Sequence, residues 1–186
     1  MTLTLTVSGI GDGRLIPERH ALCAPHGRPA GNVSPAMAWA HAPEGTRSFA
    51  LIVVDRDAAI ERTNVNKLGR TVAEDAPRRD FHHWLLIDIP GHMTAIGEGE
   101  TADGIRGRND FGPRSHSANG YDGPCPPWND ERAHRYEFIL HAVDVPSLRL
   151  EEGFTYLDLE PVLAGHVLES ASVMGTYSTN RMLVPG

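Results

Sequence analysis

Residues 119–143 read NGYDGPCPPWNDERAHRYEFILHAV, and the reading of this stretch decides the fold. Its first part packs Gly120, Gly123, Pro124, Cys125, Pro126 and Pro127 into a short loop. Proline fixes φ and removes a backbone donor, so such a loop is a preset shape rather than a flexible link. The second part alternates, with Tyr136, Phe138, Leu140 and Ala142 on one parity. Side chains two apart share a strand face, so His134 and Tyr136 point the same way, at the mouth of an apolar surface. A rigid rim beside an imidazole and a phenol is how a small polar ligand would be held. A proline-rich surface loop next to a hydrogen-bonded His fits the same residues.

Working outward, alternation and β-branched or aromatic content predict further strands at 2–7, 36–40, 47–55, 82–89, 135–143 and 173–177. Turn clusters such as Pro43-Glu44-Gly45 and Pro90-Gly91 separate them, as antiparallel connections require. A helix is expected over 159–172, with Asp158 as its N-cap and Pro161 in the first turn. Leu163, Ala164, Val167, Leu168 and Ala171 give it one apolar stripe at helical spacing. Many strands and a late helix indicate a mostly β domain, a sandwich with helices at its periphery. Residues 60–80, IERTNVNKLGRTVAEDAPRRD, are polar and weakly periodic and read as a loop inserted between two core strands. An insertion of this length is either a lid or simply a solvated excursion.

The chain has 186 residues, the range of a single domain spanning 1–186. With 40% hydrophobic and 22% charged residues, neither disorder nor a fibrous repeat is indicated. A formal charge of -7 without a dense Lys/Arg run argues against nucleic acid and against a polybasic membrane contact. An anionic ligand would therefore need a local positive site. No apolar run approaches the roughly 20 residues that span a bilayer, so no integral membrane segment is expected. The start, MTLTLTVSGIGDG, reads as a strand rather than a secretion signal. Cys23 and Cys125 are too few for a disulfide framework, which leaves one bridge open; the expectation is reduced thiols in the cytoplasm.

Phe49, Leu51, Val53 and Asp55 share parity, so Asp55 follows an apolar row onto one face, where a carboxylate needs a partner. Asp57 repeats the direction. In Phe81-His82-His83-Trp84-Leu85, an extended run puts the two histidines on opposite faces, and parity alone does not say which enters a site. There is no metal-binding spacing, no Gly-x-Ser-x-Gly elbow, no Walker loop and no dinucleotide fingerprint. No metal, no cofactor and no catalytic residue is expected.

Several of these segments, in order, resemble the phosphatidylethanolamine-binding protein family and its bacterial Raf-kinase-inhibitor-like branch. Asn32-Val-Ser-Pro35 with Trp39 is similar to that branch's early motif, and Gly45–Leu51 with Asp55-x-Asp57 to its strand and acidic turn. His83-Trp84, Gly107–Gly112, Gly120–Pro127 and His134-Arg-Tyr136 match the middle and most specific blocks, and Leu163–Leu168 with Met174–Tyr177 the end. Two features depart from the pattern. Arg56 and Ala59 stand where the acidic turn has prolines, and the insertion at 60–80 is longer than is usual.

The resemblance implies an antiparallel β-sandwich, a large central sheet packed on a smaller sheet with peripheral helices, and a small cavity that binds phosphate, phosphorylethanolamine-like groups or carboxylates. Carried over, its ligand-binding residues are Asp55, His83, Gly123, Pro126, His134 and Tyr136. Protonated His83 and His134, the Tyr136 hydroxyl and loop N–H groups would donate to the anion. Affinity would then rise as pH falls through about 6 to 7. The resemblance also permits a role as regulator or inhibitor of a kinase or protease, and a homodimer. The alternative is a hydrolase acting on a small phosphoester or acyl ester through His134 and Asp55.

Overall fold

The longest runs of β-branched and aromatic residues form the middle of the molecule. Strand β5 (Ser48–Ala59) pairs on one side with β9 (His134–Val143) and on the other with β6 (Arg78–Pro90). Strand β10 (Val167–Tyr177) and the short β8 (Ile105–Arg106) flank them, giving an antiparallel sheet ordered β10-β9-β5-β6-β8. A smaller sheet, ordered β1-β4-β7, joins Thr4–Val7, Met37–Ala40 and Ala95–Ile96, and β2 (Cys23–Ala24) pairs with β3 (Arg28–Pro29). This computed structural model describes residues 1–11, 13–25, 28–115 and 120–183. Asn119, at the head of the glycine–proline stretch, lies outside the described residues.

The large sheet is buried on both faces. Phe49, Leu51 and Val53 join Trp84, Leu86, Phe138 and Leu140 in a core shared with Trp39 of the small sheet. Ala50, Ile52 and Val54 join Leu85 and Ile87 in a second core under Phe154, Leu159 and Leu163. A central strand covered on both sides needs apolar residues at every position, which is why Phe49–Val54 reads as a continuous apolar run.

Three departures from the sequence reading follow from local physics. The helix, α1, covers only Tyr156–Leu163, and 167–172 belong to β10. Gly165, at φ 94°, ends it, and the chain then pairs with β9. The stripe of 163–171 is a coincidence of spacing, since Val167 and Leu168 stand exposed on a strand. Thr155, not Asp158, is the N-cap; Asp158 is the third helical residue and accepts from the Thr155 N–H at 2.8 Å in a capping box. Pro161 accordingly lies past the first turn.

The third departure is covalent. Cys23 and Cys125 form a disulfide, in place of the expected reduced thiols, and tie the glycine–proline loop to β2. No helix among the described residues is long and apolar enough to cross a membrane.

Candidate functional site

Asp55 follows Val53 onto the face of β5 that packs toward the small sheet, and pairs in register with Tyr136 on β9 and Phe81 on β6. Two residues from Tyr136, His134 lies on the same face. Its Nδ1 is 2.7 Å from Asp55 Oδ2. Residues 79 positions apart in sequence are thereby brought into contact.

His83 reaches this face through an irregularity. Val53 pairs with Trp84, yet Val54 pairs with His82, so His83 is an extra residue in β6. A bulge of this kind re-aims a side chain. His83 turns toward Tyr136, with ring centroids 5.2 Å apart, while His82 stacks on Tyr156 at the helix side. Strict alternation would have put His83 beside Leu85 on the opposite face. A second irregularity falls between Asp55 and Ala58. There the Asp57 N–H donates to Asp55 Oδ1 at 2.7 Å, and Asp57 accepts from Arg135 Nε and Nη2 and from Arg132. The corner is held without prolines.

The glycine–proline loop is fixed at nearly every residue. The Tyr121 hydroxyl donates to the His20 carbonyl, the Gly123 N–H to Asn32 Oδ1, and the Asp122 N–H to the His83 carbonyl. The buried Asp122 carboxylate accepts from Asn32, Asn109 and Ser115. Thr179 donates to the Pro126 carbonyl. A side chain at Gly123 would overlap the His20 carbonyl, so glycine is required there for close approach of two backbones.

Between these elements lies a hollow of about 90 Å³, the share of liquid taken by roughly three waters. Asp55, His83, His134 and Pro126 line it, with Phe81 and Phe111 as apolar walls. Arg62, Val65 and Asn66 from the insertion, and Arg79 from β6, complete its rim. The insertion is therefore a wall of the cavity. Two other expected residues do not line it. Gly123 stands behind the loop with its N–H already given to Asn32. Tyr136 is buried behind the histidines, with its hydroxyl toward Asp55.

Asp130, Arg78 and Asn129 were not legible as part of the site. His134 Nε2 is 3.1 Å from Asp130 Oδ2, so the ring sits between two carboxylates. Arg78 holds Asp130 from the other side with two bonds, at 2.6 and 3.0 Å. Two carboxylates, one imidazolium and one guanidinium leave this group without net charge, which is how four ionic groups share a dry site.

Burial alone would lower the His134 pKa, but the hydrogen bonds and charges of Asp130 and Asp55 outweigh it and raise it to about 9. Burial raises Asp130, and the bonds from His134 and Arg78 more than reverse that. His83 moves the other way. Burial lowers it, against the opposing charge of Asp55 and its bond to the Asp122 carbonyl. Burial, then the charge of Asp55, pushes the Tyr136 phenol well up.

The protonation states follow. His134 is an imidazolium with both N–H groups committed to carboxylates. His83 is neutral; its Nδ1 is 2.6 Å from a carbonyl oxygen, which only accepts, so Nδ1 carries the proton and Nε2 is a bare acceptor. His134 holds its proton throughout pH 6 to 7 and burial pushes His83 toward the neutral form, so the expected rise in anion affinity across that range does not come from His134. Among the described residues no cluster of three or more His, Cys, Asp or Glu is arranged to hold a metal ion.

A family model described as phosphatidylethanolamine-binding protein matches residues 6–178. A UPF0098 protein of Aquifex aeolicus is 35% identical over 78% of this chain and 74% of its own length. The UPF0098 protein YbhB of Escherichia coli is 28% identical over 95% of this chain and all of its own length. Among solved structures, a phosphatidylethanolamine-binding protein homologue of Chlamydia trachomatis superposes with a TM-score of 0.73 at 28% identity, covering 95% of this chain and 97% of that one. E. coli YbcL superposes with a TM-score of 0.74 at 24% identity, a likeness of fold.

Proposed function

For a chain that belongs to the phosphatidylethanolamine-binding protein family, we propose a receptor role: the hollow between His83 and His134 takes one small anionic group, a phosphate or carboxylate, and holds it without turnover. The observation that carries the reading is the hollow itself. It is walled by ionic groups already neutralised among themselves and by Phe81 and Phe111, and it is rimmed by guanidinium groups. Its volume of about 90 Å³ admits a headgroup and no acyl chain. The rest of any larger ligand would stay outside.

Nothing favours the hydrolytic alternative. His134 keeps both protons between carboxylates and cannot act as a base. The one sulfur in the lining, Cys125, is bonded to Cys23. Occupancy of the hollow, read at the rim, is then the signal that a kinase or protease partner would receive, in line with the sequence resemblance.

Thermal denaturation with sodium phosphate and sodium acetate tests the reading. A ligand present at ten times its Kd adds about 1.4 kcal/mol of stability, which raises Tm by roughly 3–6 °C at this size. Ala58→Phe adds bulk to the cavity wall, removes no polar partner, and should abolish the shift. An equal shift in wild type and variant, or none with either anion, would overturn the proposal.

A further inference from the structure

We propose that the outer edge of β10 is a strand-addition site for an extended peptide segment of a partner protein, one with alternating β-branched residues and a basic flank. This surface is separate from the hollow between His83 and His134; the two share no lining residue.

Strand β10 is the last strand of the large sheet, with β9 on one side only. An antiparallel strand points its N–H and C=O groups to either side on alternate residues. The Thr176 N–H donates to the Arg14 carbonyl, the Thr176 carbonyl accepts from the Ile16 N–H, and the Met174 carbonyl accepts from the Gly13 N–H. The even-numbered residues therefore face away from β9. Carried back along the strand, the same parity turns Ser172 and Ser170 outward, where no backbone partner among the described residues meets them. The N–H groups of Ser170, Ser172 and Met174 and the carbonyls of Ser170 and Ser172 form a ladder with one side missing.

The devices that blunt an edge are weak here. Residues 167–174, VLESASVM, contain no proline and no lysine, and the bulge falls at the far end, between Val167 and Glu169. The one charge, Glu169, is turned onto the Leu3 N–H at 3.0 Å. That bond bounds the open stretch at one end, and the bond from Gly13 to Met174 bounds it at the other. Residues 170–174 lie between, about 17 Å of strand. A window of that length supplies only a fraction of the roughly 800 Å² a side that two folded copies need for a stable pair. A short extended segment needs little more than the ladder itself.

The flanks of the edge set the side chains of the occupant. A groove of about 350 Å³ runs between β10 and β1, with Leu5, Val7, Ile10 and Val173 on its apolar side. Ala171 and Val173 pack toward the core on that side, so residues added opposite them point there too and must be apolar. Their neighbours point to the other face, beside Ser172 and a Glu137 already held by Arg56, and are polar. Valine alternating with threonine meets both demands. No basic residue lines the groove. Glu169 stands at one end with an uncharged amide as its partner, on a chain of net charge -7, so a lysine or arginine flank completes the match.

The probe is the acetylated and amidated peptide Lys-Val-Thr-Val-Thr-Val-Lys, titrated into isotope-labelled protein while amide hydrogen exchange is followed by nuclear magnetic resonance. At ten times its Kd the peptide should slow exchange at Ser170, Ser172 and Met174 by about ten-fold. Ala171 and Val173, whose N–H groups face β9, should not change. Ser172→Pro removes the central outward donor and no bond to β9, so it keeps the fold and should lose the peptide. A peptide with proline in place of both threonines, the residues that pair with β10, should give no protection. If the Ser172 variant folds poorly, the alternate-residue pattern in wild type decides. No slowing, or slowing spread evenly over 170–174, overturns the proposal. Slowing that grows with protein concentration alone overturns it in favour of an interface between copies. Equal slowing by Glu-Val-Thr-Val-Thr-Val-Glu overturns the basic flank.

Discussion

The charged state of His134 makes a quantitative prediction about stability. In an unfolded chain its imidazole titrates near 6.5; in the fold, between Asp55 and Asp130, it titrates at about 9. A raised pKa means the folded state holds the proton more tightly. The contribution is complete below pH 6.5, falls as pH rises, and is gone above about 9. The difference of roughly 2.5 units, at 1.36 kcal/mol per unit, is worth about 3 kcal/mol. For a domain of this size that lowers Tm by roughly 6–12 °C from pH 6.5 to pH 9.5. The other shifted histidines do not obscure it. His20, His83 and His141 are lowered, so their contributions are complete above 6.5 and are lost only as pH falls below it. Urea denaturation of wild type and His134→Gln across this window isolates the effect. Wild type should lose about 3 kcal/mol relative to the variant between pH 6.5 and 9.5. Parallel curves would refute the reasoning.

Two further outcomes follow from the geometry. Gly123→Ala places a Cβ against the His20 carbonyl and should cost about 1–3 kcal/mol, seen as a lower urea midpoint with an unchanged slope. Reduction of the Cys23–Cys125 bond, which spans 102 residues, should release two titratable thiols and lower stability by about 2–4 kcal/mol. Two thiols already free in the protein purified under air would contradict the bond.

What the sequence made legible was what repeats locally. Six strands were readable because their alternation or continuous apolar content is set by the faces they bury; parity put Asp55 in line with Val53 and His134 in line with Tyr136, while the resemblance, not parity, brought the two strands' residues to one site. The glycine–proline loop was readable as rigid because proline chemistry is local. The helix was half right: an apolar stripe at helical spacing in 163–171 also occurs on a strand that pairs with β9, and only pairing decides between them. Parity left the choice between His82 and His83 open, and a bulge in β6, which no local pattern announces, decides which of them turns to the site. Asp130 and Arg78 were missed because charged residues in loops read as solvated, and nothing local shows that Arg78 reaches Asp130 from 52 positions away while His134, four residues on from Asp130, takes its other side. The same blindness put protons for the ligand on His134, whose donors are spent on carboxylates. Two guanidinium groups, Arg62 and Arg79, stand on the rim, the first in an insertion that also read as a solvated excursion.

A titration of inorganic phosphate at neutral pH, followed residue by residue by nuclear magnetic resonance, addresses the receptor claim directly. The account predicts saturable shifts at Phe81, His83, Phe111 and the Arg62 and Arg79 side chains, with the Asp130–His134 pair keeping its imidazolium signature throughout. Shifts that never saturate, or that saturate on the surface around Trp128 and Met182 while the hollow stays silent, would contradict it.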